Sequence, residues 1–564
     1  MDDTGTRTHS AGVQSPLLNN IVNGTVDYKG RPVLRSKSGC WRSAYFIIGV
    51  EVAERFAYYG VESNLIIYLT GPLGQSTATA AENVNTWSGT ASLLPLVGAF
   101  IADAFLGRYL TIIIASLLYV LVLALLAFST LIPSNCTISI DGGSSCSPQL
   151  QVIIFFISLY LVAFAQGGHK PCVQAFGADQ FDADDPEELK SKSSFFNWWY
   201  FGLCGGSTVG IFVVSYIQEN LSWGLGFGIP CILMGFALIM FLSGTMSYRF
   251  REQPQERSAF IRIGNVFVKA AQNWRTSYSS VSLQEHQHPH QFRFLNKALI
   301  SCNESNEDES VCSIDEVEEA KAVLRLVPIW FSCLTYATVL SQTSTLFTKQ
   351  GATMDRSIGS TFELPASSLQ SFLSLSVVIL IPIYGTILVP VTRTVTNIPS
   401  GITMLQRIGT GIFISIVSMV VGAVVESKRL KTACEYGLVD DPNATIPMKI
   451  WWLLPQYLLA GGSEVFTMVG MQEFFYDQMP SDLKSVGLVL YLSVMGIGSF
   501  LSGFLIAIVE KETGGDGDDG WISDNLNRGR VDYFYYLLTG ISAGSFVIYI
   551  YAAKSYVYNR ARAL

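Results

Sequence analysis

Glu51, Glu54 and Arg55 stand at i, i+3 and i+4 of a run otherwise apolar enough to cross a bilayer. As a helix they share one face, which Tyr58 continues. An ionisable side chain at the centre of a membrane costs on the order of 2.5–3.5 kcal/mol even on a lenient insertion scale, and such residues by default mark ion or substrate pathways. Two carboxylates beside one guanidinium leave a surplus negative charge. Burial penalises the ionised carboxyl while the guanidinium favours it, a balance that equips one of the two acids to take up and release a proton. Two further charges lie in apolar runs: Lys170, within Gln166-Gly167-Gly168-His169-Lys170-Pro171, and Glu464, within Gly461-Gly462-Ser463-Glu464. A static salt bridge that fixes helix register would account for one isolated pair. Five groups spread over both halves of the chain require more, because desolvation offsets much of the Coulomb gain of a buried pair. Glu62 and Arg325 fall nearer the ends of their runs and read as solvated or snorkelling side chains.

The elements that position these residues are transmembrane helices. Only 14% of the 564 residues are charged, against roughly 25% in an average soluble protein, which is too few to coat several separate globules. Net charge is -8 without a basic block, which argues against a nucleic-acid partner. A bilayer core of about 30 Å needs roughly 20 apolar residues, and twelve runs meet that length: 44–70, 86–106, 109–132, 150–172, 195–218, 225–247, 323–345, 367–391, 404–425, 450–472, 486–510 and 532–556. Six precede a polar stretch at 248–322 and six follow it, the pattern of two packed half-bundles related by a pseudo-two-fold axis. The expected domains are therefore a cytosolic tail (1–43), a six-helix bundle (44–247), a cytosolic central loop (248–322), a second bundle (323–556) and a short tail (557–564). Lys and Arg crowd the N-terminal segment and are absent from the first half's outward loops, which places both termini in the cytosol. Lys428, Arg429 and Lys431, in an outward loop by this count, break the pattern.

At the charged residues the chain resembles a known family. Glu51-x-x-Glu54-Arg55-Phe56 is similar to the E-x-x-E-R-F/Y signature of proton-coupled oligopeptide transporters of the major facilitator superfamily, and more particularly to the plant nitrate/peptide transporter family. The resemblance extends through Gly168-His169-Lys170-Pro171-Cys172, Phe176 to Asp182, Phe195-Phe196-Asn197-Trp198-Trp199, Met354-Asp355-Arg356, Leu405-Gln406-Arg407 and Gln472-Glu473-Phe474-Phe475. Asp103, Gly107 and Arg108 resemble the superfamily's gating loop between the second and third spans. The resemblance implies an all-α major facilitator fold and a proton-driven symporter working by alternating access. It assigns proton coupling to Glu51, Glu54 and Arg55, with Lys170 as salt-bridge partner and anion contact. It places Glu464, Tyr58 or Tyr59, and Asn197 at the solute site. Nitrate is the first expected solute and di- or tripeptides the second, with hormones or glycosides as further options. A receptor-like sensor or a proton-independent carrier on the same fold are the rival functions. Two departures bear on the solute. Leu340 stands where the family's well-known nitrate carrier has an anion-contacting histidine, and Tyr384-Gly385-Thr386 replaces the usual Y-D-R.

No nucleophile–His–acid set, P-loop or Rossmann glycine pattern is found, so an enzyme is not expected. Nor is a cofactor or metal: the proton gradient is the driving force, and the partners are a small solute, protons and the lipid bilayer, in the plasma or vacuolar membrane, with the oligomeric state open. Asn135 and Asn443 are glycosylation candidates in outward loops, while Asn220 lies close to the membrane and Asn23 and Asn303 on the cytosolic side. Cys136 and Cys146 share a loop and could pair. The amphipathic stretch at 261–274 suits either the membrane face or the bundle. His286-Gln287-His288-Pro289-His290 reads as a linker.

Overall fold

Runs of apolar residues in lipid have one local way to satisfy their backbone, which is to hydrogen-bond internally as helices. The computed structural model describes residues 21–132, 136–138, 144–146, 149–182, 185–251, 259–275, 292–299, 312–359, 362–396, 401–479, 484–514 and 520–556. Among them the long helices are α1 (Cys40–Glu62), α2 (Thr77–Ile101), α3 (Arg108–Ser129), α4 (Gln149–Ala178), α5 (Pro186–Asn220), α6 (Trp223–Ser243), α7 (Ile314–Leu340), α8 (Gln370–Ile383), α9 (Met404–Glu435), α10 (Leu454–Asp477), α11 (Lys484–Thr513) and α12 (Val531–Ser555). Ten of the twelve, α8 counted with the turns that extend it over Ala366–Thr394, are long and apolar enough to span a membrane by composition alone. The other two are α1 and α10, the helices that carry Glu51, Glu54, Arg55 and Glu464.

Small residues let backbones approach closely where the site is built. A Cβ on Gly206 or Gly210 of α5 would fall 2.6 Å from the Val52 carbonyl or 2.5 Å from that of Phe56, so α5 lies directly on the charged turn of α1. Between the halves, a Cβ on Gly89 of α2 would meet the Gly496 carbonyl of α11 at 2.9 Å. An internal repeat is visible in matched details. A π-turn at Ala102–Leu106 follows α2 and another at Tyr384–Leu388 follows α8. Arg108 at the start of α3 pairs with Asp179 past the end of α4, and Arg407 near the start of α9 pairs with Glu473 near the end of α10. Two halves with the same helix-by-helix devices are what a duplicated bundle produces.

Cys40 and Ser555 open and close the bundle at one end, here the proximal end. At the opposite, distal end the halves are joined by Gln370 donating to the Ser63 carbonyl (2.8 Å), Lys349 to Thr70 (2.9 Å), the Thr77 amide to Asp524 (2.8 Å) and an Arg356–Glu219 ion pair (2.7 Å). Tyr216 and Phe362 stack across the same end. This end is sealed.

Several helix bounds differ from the apolar runs. The first run breaks at Ser63 and resumes as a short helix, Leu65–Thr70. The ninth helix continues ten residues past the expected 425, and this changes the reading of one of the three charges there. Arg429 is no loop residue: it is fully buried, doubly bonded to Glu426 (2.9 and 2.7 Å) and bonded to Asn527 (2.7 Å) and the Leu526 carbonyl (2.8 Å). Lys428 lies 3.3 Å over the Trp452 ring. A charge neutralised inside the fold carries no topological signal, so Arg429 drops out of the pattern, whereas Lys428 and Lys431 are exposed and still break it. The amphipathic stretch forms a helix, Ala259–Gln272, whose Ile263, Val266 and Ala270 pack with Leu295, Val317 and Ala320, so the second bundle covers it. At the proximal end strands Ile21–Val26, Pro32–Leu34 and Phe250–Arg251 form a small sheet, and Arg249 beneath it is fully buried against Glu188 (2.6 Å). Two strands pair Cys136 opposite Cys146 in the backbone register; their side chains lie outside the described residues, as do Asn135, Asn303 and the tract at 286–290.

Candidate functional site

The helical register of α1 delivers Glu51, Glu54 and Arg55 to the interior of the first half, each no more than 1% exposed. Arg55 bridges both acids: its Nε is 3.1 Å from Glu51, and its terminal nitrogen pairs with Glu54. Tyr119 of α3 donates to Glu54 at 3.3 Å. Both carboxylates therefore share one guanidinium, which is the arrangement in which protonating either acid frees a hydrogen-bonding arm of Arg55.

Lys170 departs from the expected salt bridge. Its charge reaches Glu51, Glu54, Glu62 and Arg55, yet among the described residues no carboxylate lies within 4.0 Å of it. The reason is geometric, since Arg55 already occupies both acids from their own helix. The ammonium is itself half-buried.

Glu464 of α10 is likewise without an ion pair among the described residues, and its Oε2 is buried with no hydrogen-bond partner. Its charge acts on Tyr59 of α1, Tyr200 of α5, Tyr336 of α7 and Tyr491 of α11. These four phenols, drawn from both halves, lie within its electrostatic reach, and of them the sequence singles out only Tyr59. Tyr58 instead packs inside the first half, stacked on Trp87 at 5.5 Å. Asn197 is exposed on α5, one turn before Tyr200.

Two residues read as solvated are not. Glu62 is half-buried and accepts a hydrogen bond from Ser88 at 3.2 Å. Arg325 is 24% exposed and lies 3.6 Å from Glu318, one of a run of acids in the first turns of α7. In both cases a neighbouring helix or turn covers the side chain where an isolated helix would leave it in water.

The gating-loop residues form a proximal clasp. Gly107 takes φ +76°, turning the chain after the π-turn so that Arg108 reaches Asp179 at 2.5 Å, with Asp103 at 3.6 Å. Leu340 lines a cavity of about 10 Å³ with Tyr336, Ser415 and Ser463, space for no more than one water. Tyr384 lies over the Arg407 guanidinium at 4.3 Å. Asn443 is exposed in the turn that follows α9. Among the described residues no His, Cys, Asp and Glu cluster is placed to hold a metal.

Among the described residues, twelve long helices in two matched halves, enclosing charges without ion pairs and sealed at one end, define a membrane transporter of the major facilitator type. The profile of the POT family (PTR2) matches residues 109–522, and the chain belongs to that family. It is 61% identical over 543 residues to Protein NRT1/PTR FAMILY 5.10 of Arabidopsis thaliana, covering 95% of this chain and 96% of that one. It is 53% identical over 557 residues to Protein NRT1/PTR FAMILY 5.13 of the same plant, covering 97% and 98%. The fold is similar to that of an auto-inhibited POT family peptide transporter, with a TM-score of 0.69 at 22% identity over 92% of this chain and 98% of that one. It is also similar to a POT family transporter in complex with 5-aminolevulinic acid, with a TM-score of 0.64 at 12% identity over 95% and 99%.

Proposed function

We propose that the protein is a proton-coupled symporter that carries a small anionic or zwitterionic solute across a membrane by alternating access, with nitrate the first candidate. The observation that carries this reading is the pairing of a shared guanidinium, Arg55 between Glu51 and Glu54, with an ammonium, Lys170, that has no carboxylate within 4.0 Å among the described residues. With Glu51, Glu54 and Glu62 ionised against Arg55 and Lys170, the first-half cluster carries one negative charge and repels an anion. One proton makes it neutral and a second makes it positive. Proton uptake thus creates the site that an anion then fills, and release of either weakens the hold on the other, which is linkage between the two ligands. The distal end faces away from the cytosol in this reading, so the sealed state described above opens inward.

A di- or tripeptide, or another zwitterion, is the second reading, favoured by Glu464. A carboxylate without an ion pair among the described residues, with four tyrosines within its electrostatic reach, is suited to an ammonium group, while Lys170 takes the carboxylate end. Solute-evoked currents in a voltage-clamped cell test both readings, with nitrate and a dipeptide mixture at acidic and neutral external pH. Inward current that grows with acidity and is abolished by Glu54→Gln or Lys170→Ala supports symport and identifies the solute class. Labelled solute that enters independently of pH, with Glu54→Gln unchanged, refutes the coupling role of α1.

A further inference from the structure

A third carboxylate completes the charged face of α1. Glu62, its last residue, follows Glu51, Arg55 and Tyr58 at helical spacing. It accepts a hydrogen bond from Ser88 of α2 at 3.2 Å, and the Tyr58 phenol, one turn earlier on the same face, lies within its electrostatic reach. The other charged or titratable groups facing it are Arg55 and Tyr59 on α1, Tyr119 on α3 and Lys170 on α4, and no cation lies within 4.0 Å among the described residues. The next residue, Ser63, gives its carbonyl to Gln370 of the second half, so Glu62 sits immediately beneath the distal seal. The nature of its partners matters. A serine hydroxyl donates to a carboxylate and accepts from a carboxylic acid, so the bond from Ser88 to Glu62 persists in either state, whereas the guanidinium that holds Glu51 and Glu54 can only donate.

From this geometry we infer that Glu62 is a proton-binding residue of the transport cycle, the first acid a proton meets when the distal seal opens, and that Tyr58 and Tyr119 stand between it and Glu54. The inference rests on the proton-coupled reading above. Tyr119 donates to Glu54 at 3.3 Å, and Tyr58 lies within electrostatic reach of both Glu62 and Tyr119. The transfer is a proton exchange with no redox change. The O–H bond of the Glu62 carboxyl breaks and leaves its electron pair on Glu62, and an O–H bond forms on Glu54. One negative charge therefore moves toward the distal end as the proton moves inward.

Infrared difference spectroscopy of the full-length protein in bilayers, between mildly alkaline and acidic pH, reads carboxyl protonation directly and needs no solute. The wild type is expected to show a carboxyl C=O band that Glu62→Gln removes and Glu62→Asp retains at a shifted position. Tyr58→Phe is expected to keep that band but to slow protonation of Glu54 after a rapid pH drop by about 10-fold or more. Identical difference spectra for wild type and Glu62→Gln overturn the inference, and an unchanged Glu54 rate in Tyr58→Phe overturns the route. Should Glu62→Gln fail to fold, Ser88→Ala serves: loss of a hydrogen bond must move the Glu62 band, and a band that stays in place sinks the assignment. If Glu51→Gln and Glu54→Gln subtract no band while Glu62→Gln does, the coupling role of the triad fails and the assignment of Glu62 stands.

Discussion

Replacing Glu219 with glutamine removes one charge from the distal seal and keeps its shape. The Arg356–Glu219 bond is 2.7 Å long, joins the two halves, and its side chains are only 24% and 13% exposed. A charge-assisted hydrogen bond of that kind contributes about 1.5–3 kcal/mol. At about 1.4 kcal/mol per factor of ten, the Glu219→Gln protein should populate the distally open state about 10- to 100-fold more than wild type. The second contact of Arg356, with Glu363 at 3.6 Å, is two-thirds exposed at the acid and supplies little that could compensate. Cys204 is a suitable reporter, because it is 5% exposed and lies close enough to Glu464 to sense its charge. In a variant whose other cysteines are replaced, an impermeant thiol reagent applied from the distal side should modify Cys204 about 10- to 100-fold faster once Glu219 is neutral. Exchanging the charges, Glu219→Arg with Arg356→Glu, should return the rate toward wild type. A modification rate within twofold of wild type in Glu219→Gln would refute the claim that this pair holds the seal.

Three further outcomes are expected. Arg429→Ala leaves Glu426 buried without its cation and should cost about 3–5 kcal/mol, seen as early unfolding in a thermal shift assay of the purified protein. Gly39 takes φ +71°, and a Cβ there would lie 2.1 Å from Nε of the buried Arg249, so Gly39→Ala should destabilise the proximal end by about 1–3 kcal/mol, read as faster protease cleavage near the sheet. The Asp355 carboxyl is pulled down to about 2, first by the hydrogen bond from Lys449 and then by those from Ser357. Its folded value lies below the ordinary 3.8, so its stabilising contribution is present above pH 3.8 and lost as pH falls through about 2. Lys449→Met should therefore leave the pH dependence of transport between neutral and mildly acidic pH unaltered; a shifted profile would show that this distal pair takes part in the titration.

Much of the fold was legible because its signals are local. Apolar length marks each span, and the i, i+3, i+4 rule puts Glu51, Glu54 and Arg55 on one face whatever surrounds them. Helix ends were less legible, since hydropathy stops at the first charge while the helix does not: α9 carries Arg429 inward because Glu426, one turn earlier, neutralises it. Glu62 was misread for the same reason. Its position near a span end suggests water, but Ser88, 26 residues further on, covers it.

What the sequence by itself determined is the class of molecule and its charged machinery: too few charges for a soluble protein, twelve spans divided evenly, and an acid–acid–base turn in a place where charge is costly. Those conclusions need only neighbours within a few residues. The tertiary structure decided which of the charges are partnered. It gave Arg55 to both acids and left Lys170 and Glu464 without ion pairs among the described residues. It brought Tyr59, Tyr200, Tyr336 and Tyr491 from four helices within electrostatic reach of one carboxylate, and it closed the distal end with Arg356 and Glu219, 137 positions apart. The physical reason is that a charge's partner is chosen by helix packing. Gly206 and Gly210 bring α5 onto α1, and Gly89 and Gly496 bring the halves together, through contacts that no local pattern specifies.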